Sequence, residues 1–167
     1  MSENVASSDS VTIALHVDGR AVRLTVDADM TVLDVLREQL GLTGVRAGCR
    51  NGDCGTCTAV VGGQCVKTCL MLAGRVDGAR VQTIASLADG DDPSPVQRAF
   101  MEEYGFQCGF CLPGMLLSTT DLLDRNSDPS AEQIRDTLSG NLCRCTGYVN
   151  MVRAVQRAAK LRNPPTT

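Results

Sequence analysis

The 167-residue chain contains no tryptophan, and aromatic residues make up only 3% of it. Its apolar side chains are therefore mainly aliphatic, and a small core of this kind gains stability from metal cross-links. The chain also lacks any block of lysine and arginine residues, and its net charge is −3. This composition argues against a nucleic-acid-binding protein. The one histidine, His16, stands in a predicted strand far from the cysteines, which disfavours a mixed cysteine–histidine zinc site.

Long apolar runs are absent too, so we expect no membrane span. The first eight residues are polar, without the basic start and apolar run of a signal peptide. These features predict a cytoplasmic protein, in which thiols stay reduced and many cysteines favour metal binding over disulfides. The alternative is a secreted disulfide scaffold, which lacks the leader that it would need.

Cysteine, by contrast, is abundant, and the chain has nine. Eight of these residues fall into two sets of four. The first set is Cys49, Cys54, Cys57 and Cys69, and the second set is Cys108, Cys111, Cys143 and Cys145. Two complete sets of four thiols in one short chain predict two metal centres.

The first set begins with the spacing Cys49-x4-Cys54-x2-Cys57, which is typical of a plant-type [2Fe–2S] site. Three thiolates must wrap around one cluster within a short loop, so this loop needs sharp turns. Glycines at positions 48, 52 and 55 permit positive φ and a close approach of backbone N–H groups to the cluster sulfurs.

The fourth ligand of the first set is either Cys65 or Cys69. Cys65 lies within a predicted hairpin, where alternation would point its side chain into the sheet. Cys69 follows that hairpin, where the chain can return to the loop. We therefore predict Cys69 as the ligand and Cys65 as a buried apolar thiol.

The second set consists of Cys108-x2-Cys111 and Cys143-x-Cys145. Each pair is predicted to stand at the start of a helix, whose positive dipole end lowers the pKa of a thiol. Structural zinc is the main alternative, because tetrahedral all-cysteine zinc sites use similar pairs. The first set favours iron here as well, since two redox centres in one small protein form an electron relay.

The hydrophobic pattern predicts an α+β fold in two parts. Alternating residues on either side of Asp18-Gly19 predict a β-hairpin. A helix, a second hairpin and a last strand follow, over residues 31–41, 58–66 and 81–84. We expect these elements to form one compact unit over residues 10–84, with the run from Cys69 to Leu72 returning to its core.

An acidic linker over residues 85–93 leads to a helical unit over residues 94–162. Helices are predicted over residues 95–104, 111–125, 131–139 and 147–161, and they form a bundle of four. Capping boxes begin at Ser94 and Ser130. The ends of the chain, residues 1–9 and 163–167, are expected to be disordered.

The cysteine motifs resemble those of the small [2Fe–2S] iron–sulfur subunit of the molybdenum hydroxylases, the family of xanthine dehydrogenase, aldehyde oxidoreductase and carbon monoxide dehydrogenase. The matching segments span nearly the whole chain and lie at residues 48–58, 67–70, 107–114 and 140–148. The last two are the most specific, and they read Gln107-Cys108-Gly109-Phe110-Cys111-x-Pro113-Gly114 and Gly140-Asn141-Leu142-Cys143-Arg144-Cys145-Thr146-Gly147-Tyr148. The resemblance implies an N-terminal β-grasp, plant-type ferredoxin-like domain followed by a four-helix bundle with pseudo-twofold symmetry.

The resemblance also implies a role as the non-catalytic electron-transfer subunit of an oxidoreductase complex. Electrons would pass from molybdopterin-bound molybdenum in a large partner subunit to the helical-domain cluster and then to the ferredoxin-type cluster. The expected acceptor is FAD in a medium subunit, or another acceptor. Gln107 and Cys145 match family positions that contact the molybdopterin, expected in its cytosine dinucleotide form. The implied assembly is a dimer of heterotrimers acting on a purine, an N-heteroaromatic compound or an aldehyde.

Two other functions stay open at this point. The first is the small subunit of a carbon monoxide dehydrogenase, which is weakly disfavoured because an Asp-Thr-Ser run common in that branch is absent. The second is a free-standing two-cluster ferredoxin, which would have no pterin for Gln107 to contact. Arg50 departs from the family pattern, in which a small or acidic residue is common, but it is not at a ligand position.

Overall fold

The computed structural model describes residues 9–163. Residues 1–8 and 164–167, on which most of the predicted disorder falls, lie outside the described residues. The described chain has one five-stranded sheet, in the order β2-β1-β5-β3-β4, followed by four helices. We refer to residues 10–82 as the sheet half and to residues 95–162 as the helical half. Each half has its own hydrophobic core, and the fold is therefore of the mixed α+β class, as predicted.

The sheet begins with the predicted hairpin of β1 (Ser10–Val17) and β2 (Arg20–Asp27). Its turn residues, Asp18 and Gly19, have φ values of 47° and 82°, which is the geometry that a tight two-residue hairpin requires. Alternate residues of β1 are buried beneath the sheet, whereas His16 is exposed. The single histidine is thus an ordinary surface residue of a strand.

The predicted helix after the hairpin begins as expected and then widens. The hydroxyl oxygen of Thr31 accepts the N–H of Asp34 and caps α1 (Val32–Asp34). The chain continues as a π-helical turn over Val35–Gln39, closed by the Leu40 N–H bonding to the Val35 carbonyl. The sequence pattern predicted a regular α-helix here and contains no signal for the wider turn.

The rest of the sheet comes from the second hairpin and a short final strand. β3 (Thr58–Val61) and β4 (Gln64–Lys67) pair antiparallel, as predicted. β5 (Arg80–Gln82) lies between β1 and β3, parallel to the former and antiparallel to the latter. The predicted last strand extended to residue 84, but Thr83 instead caps a 3-10 turn over Ile84–Leu87.

The run from Cys69 to Leu72 differs from the prediction. Cys69 is buried, but Leu70 is 63% exposed and Leu72 is 45% exposed. The 3-10 turn Thr68–Leu70 directs successive side chains to different sides. Leu70 thereby lies over Gly52 in the cysteine-rich loop, where a Cβ on that glycine would overlap with the leucine side chain.

The helical half contains the four predicted helices, which are α2 (Pro95–Glu102), α3 (Leu112–Arg125), α4 (Ala131–Ser139) and α5 (Val149–Arg162). Each helix contributes at least one fully buried side chain to a shared core, and these include Phe100, Met115, Ile134 and Met151. None of the helices within residues 9–163 is long and apolar enough to cross a bilayer.

Both predicted capping boxes are present, and the one at α2 gives a testable contribution to stability. Ser94 accepts the N–H of Gln97 at 3.3 Å, and the Gln97 side chain accepts the N–H of Ser94 at 2.8 Å. Ser94→Ala should lower the free energy of unfolding by about 1 kcal/mol. Urea unfolding beside Ser127→Ala, a change at an exposed serine in a loop, would measure the difference. Equal stability of the two variants would contradict this prediction.

Candidate metal centres

The first set of cysteines lies in a loop whose backbone is bent around the thiols. The N–H of Cys49 donates to the Sγ of Cys54, and the N–H of Cys54 donates to the Sγ of Cys49, each at 3.3 Å. Backbone hydrogen bonds to the Cys49 thiol, first from the N–H of Cys54 and then from Asn51, lower the pKa of Cys49 to about 6. A Cβ at Gly48 would lie 2.7 Å from the Sγ of Cys54, so this position has room only for glycine. The loop therefore holds two thiols close together and favours the thiolate form of one of them.

Cys57 and Cys69 form the buried side of the same set. The Thr68 hydroxyl donates to the Cys57 carbonyl at 2.7 Å and so ties the end of β4 to the loop. Burial, together with the neighbouring Cys57 thiol, raises the pKa of Cys69 to about 11. The structure thus places Cys69 beside Cys57 and near Cys49.

Cys65 lies elsewhere, on β4 and facing the helical half. Its thiol donates to the Leu117 carbonyl of α3 at 3.7 Å, and burial raises its pKa to about 11. Cys65 was predicted to be a buried apolar thiol outside the metal site, and it is half-buried in this position. Which cysteine acts as the fourth ligand stays a prediction that requires the substitutions described below.

The second set joins two loops of the helical half. Cys111 stands at the N-terminus of α3, as predicted, and the Sγ atoms of Cys108 and Cys145 lie 3.6 Å apart. Burial, together with the neighbouring Cys143 thiol, raises the pKa of Cys111 to about 12. Burial also acts to raise the pKa of Cys143, but hydrogen bonds from Thr146 and from the Cys145 N–H outweigh it and hold that pKa below its ordinary value.

The position of Cys143 and Cys145 relative to α5 differs from the sequence prediction. α5 begins at Val149, and Tyr148 before it has a left-handed backbone with φ 69°. The two cysteines therefore lie in a loop that precedes the helix, and they are not in its first turn. Their surroundings are set by the hydrogen bonds of that loop.

A shared feature of both sets is that their thiols lie in close pairs. The pairs are Cys49 with Cys54, Cys57 with Cys69, Cys108 with Cys145, and Cys111 with Cys143. Among residues 9–163, no three histidine, cysteine, aspartate or glutamate side chains are grouped around the position of a single metal ion. Two thiols for each of two metal ions is the ligand arrangement of an all-cysteine [2Fe–2S] cluster.

The two sets lie close to each other. A cavity of about 260 Å³ is lined by Cys49 and Cys54 of the first set and by all four cysteines of the second set. Phe110 and Leu142 complete its apolar wall, and their side chains are 45% and 55% exposed. No sequence pattern indicated this proximity, because the contacts that produce it join residues far apart in the chain.

Gln107 and Cys145 are neighbours on the surface. The side-chain Nε2 of Gln107 donates to the Cys145 carbonyl at 3.2 Å, and both residues are exposed. A binding partner could therefore reach both at once. This arrangement is compatible with the predicted contact to a cofactor held in another subunit.

Arg50 forms an ion pair with Asp34, with Nη1 2.6 Å from Oδ1. Burial acts to raise the pKa of Asp34, but hydrogen bonds from Thr31 and Arg50 hold it below its ordinary value. The arginine side chain is 51% exposed, so the pair contributes well under about 1 kcal/mol to stability. Its evident role is to hold the cysteine-rich loop against α1.

Sequence reasoning missed the roles of Asn141 and Tyr148. Asn141 is 3% exposed and contacts both halves of the chain. The Tyr148 hydroxyl accepts the N–H of Cys143 and donates to the Asn141 carbonyl, each at 2.8 Å. Both residues stand within the motif around Cys143 and Cys145, and that position is the only signal the sequence offered.

Comparison with known proteins agrees with the geometry of the two sites. A family model described as a 2Fe-2S iron-sulfur cluster binding domain matches residues 15–91. A second model, described as a [2Fe-2S] binding domain, matches residues 83–156. Each model includes one complete set of four cysteines.

Three similar proteins match along most or all of their own length. The chain is 43% identical over 152 residues to the nicotinate dehydrogenase small FeS subunit of Eubacterium barkeri, covering 91% of this chain and 97% of that one. It is 47% identical over 148 residues to the nicotine 6-hydroxylase small subunit of Paenarthrobacter nicotinovorans, covering 89% of each. The solved structure of quinoline 2-oxidoreductase from Pseudomonas putida 86 matches with a TM-score of 0.88 at 35% identity, covering 96% of this chain and 100% of that one.

The chain belongs to the family of small [2Fe–2S] iron–sulfur subunits of the molybdenum hydroxylases. It is accordingly a non-catalytic subunit of an oxidoreductase complex.

Proposed function

We propose that this chain carries two [2Fe–2S] clusters and transfers electrons within a molybdenum hydroxylase. Cys49, Cys54, Cys57 and Cys69 would bind the ferredoxin-type cluster, and Cys108, Cys111, Cys143 and Cys145 would bind the helical-domain cluster. The observation that carries the proposal is the pairing of the eight thiols, with one pair for each of four irons. When bound, each cluster takes up and releases one electron without forming or breaking a bond to the protein.

The proposal assigns these sites to two domains, over residues 10–84 and 94–162, joined by a linker over residues 85–93. The first would be a β-grasp and the second a four-helix bundle with pseudo-twofold symmetry. Supporting this division, the sheet half and the helical half have separate hydrophobic cores. The linker is in contact with the second core, since Leu87 packs against it, as does Ile84 at the end of the first domain.

The direction of electron transfer follows from which cluster site faces a partner. Gln107 and Cys145 are exposed and joined by a hydrogen bond, and we propose that they contact molybdopterin, in its cytosine dinucleotide form, in a large partner subunit. Electrons would enter at the helical-domain site, continue to the ferredoxin-type site, and leave to FAD in a medium subunit or to another acceptor. The complex would be a dimer of heterotrimers in the cytoplasm.

The substrate would be bound by the large subunit. Of the predicted classes (purines, N-heteroaromatic compounds and aldehydes), we propose an N-heteroaromatic compound. Nicotinate, nicotine and quinoline, which appear in the names of three similar proteins, all contain a nitrogen-bearing aromatic ring.

Metal analysis of the purified protein tests the cluster proposal. We expect about four iron atoms and about four acid-labile sulfides per chain, because each [2Fe–2S] cluster contains two of each. After reduction with dithionite, two distinct EPR signals should appear. Stoichiometric zinc, or half the expected iron in a fully loaded preparation, would contradict the proposal.

A further inference from the structure

The two cysteine sets are joined by a buried asparagine. The Nδ2 of Asn141 donates to the Gly55 carbonyl at 3.2 Å, and its Oδ1 accepts the Ser118 hydroxyl at 3.2 Å. Gly55 lies in the first cysteine loop, directly after Cys54, whereas Ser118 is on α3 in the helical half. A single amide side chain, 3% exposed, therefore bonds to both halves.

The backbones around this asparagine approach so closely that side chains are excluded. A Cβ on Gly114, in the first turn of α3, would overlap with both the Gly55 carbonyl oxygen and the Asn141 Nδ2. A Cβ on Gly55 would overlap with the Gly140 carbonyl oxygen. Protein interiors pack at nearly crystalline density and leave no free space to absorb these overlaps. A Cβ added at either glycine must therefore move the sheet half relative to the helical half.

The same junction contains a direct hydrogen bond between the two cysteine loops. The N–H of Leu142 donates to the Cys54 carbonyl at 2.8 Å. Leu142 immediately precedes Cys143, so one hydrogen bond and a short stretch of backbone connect a thiol of each set. The Tyr148 hydroxyl bonds to the Asn141 carbonyl and the Cys143 N–H and fixes the helical side of this connection.

We propose that Asn141 is a positioning residue that sets the distance and orientation between the two cluster sites. Its amide donates to the Gly55 carbonyl. This contact maintains the Leu142–Cys54 hydrogen bond and the close approach of the Gly55 backbone to Gly114. Asn141 binds no metal and takes part in no bond change. The inference rests on the proposed function, because the distance between the sites matters only where both bind clusters.

The test is the magnetic interaction between the two reduced clusters, which falls steeply as they move apart. Three junction variants are suited to it, namely Asn141→Ala, Asn141→Asp and Gly114→Ala. The aspartate keeps the shape and the Ser118 contact but loses the donor to Gly55. The alanine at position 114 is otherwise favourable in a helix, so any effect there comes from the added methyl group. EPR line shape and spin relaxation of dithionite-reduced protein are measured for each variant.

Two control variants make the same kinds of substitution at positions away from the junction. Asn126→Ala removes an amide that bonds within the helical half only. Gly74→Ala adds a Cβ that would meet Val11 at an ordinary 3.5 Å in the sheet half. We expect both controls to keep the wild-type interaction, and we expect all three junction variants to retain both signals with a weaker interaction between them.

The possible outcomes separate this inference from the proposed function. If wild-type protein itself lacks two cluster signals, the proposed function fails. If wild-type protein shows both signals and the junction variants keep the full interaction, the positioning role of Asn141 is wrong. Loss of both signals in every junction variant would overturn the inference as well, because these residues would then support folding as a whole.

Discussion

Cys69→Ala should abolish the EPR signal of the ferredoxin-type cluster and leave that of the helical-domain cluster intact. Cys69 is the partner of Cys57 in the buried half of the first set. Without its thiolate, one iron would retain a single protein ligand, and the nearby Cys65 thiol bonds to the Leu117 carbonyl of α3 instead. We expect iron and labile sulfide to fall by about half, since one of two [2Fe–2S] clusters is lost.

Cys65→Ala is the matched control, because it removes a thiol from the neighbouring strand. Within residues 9–163, the Leu117 carbonyl is the one hydrogen-bond partner of this thiol, at a distance of 3.7 Å. Both EPR signals should persist, and the free energy of unfolding should fall by about 1 kcal/mol from the lost packing. If Cys65→Ala removes the EPR signal of the ferredoxin-type cluster and Cys69→Ala preserves that signal, the fourth ligand has been misassigned.

Elements formed by neighbouring residues were predictable from the sequence. The Asp18-Gly19 turn, the capping boxes of Ser94 and Ser130, and the alternation of β1 all depend on residues a few positions apart. For these elements local propensity and the final fold agree. Burial of Cys69 was predicted as well, from the return of its run to the core.

What could not be predicted depends on contacts between distant segments. Leu70 was expected in the core but covers Gly52, because the thiol loop folds beneath it. The junction at Asn141 joins positions 86 residues apart in sequence, and no periodicity reports such a contact. The pairing of thiols within each set also requires the fold, since spacing alone gives several possible pairings.

Gln107→Ala should slow reduction of the helical-domain cluster by substrate in the assembled complex while leaving both clusters in place. Gln107 supplies no thiolate, so iron content should be unchanged. Its side chain nevertheless holds the Cys145 carbonyl at 3.2 Å on the exposed face of the site. A neutral hydrogen bond contributes about 0.5–1.5 kcal/mol, so its loss, together with the proposed pterin contact, should slow this step by about two- to tenfold or more.

Two reductants distinguish a role in docking from damage to the cluster. Rapid-mixing spectroscopy would follow reduction of the complex by substrate, which requires molybdenum, and by dithionite, which bypasses it. Gln156→Ala, a change at an exposed glutamine on α5, is the control and should match wild type with both reductants. Gln107→Ala should be slow with substrate and normal with dithionite, because only the first route crosses the face formed by Gln107 and Cys145. If Gln107→Ala slows reduction by substrate and by dithionite to the same extent, or slows neither, electrons do not enter this chain at that face.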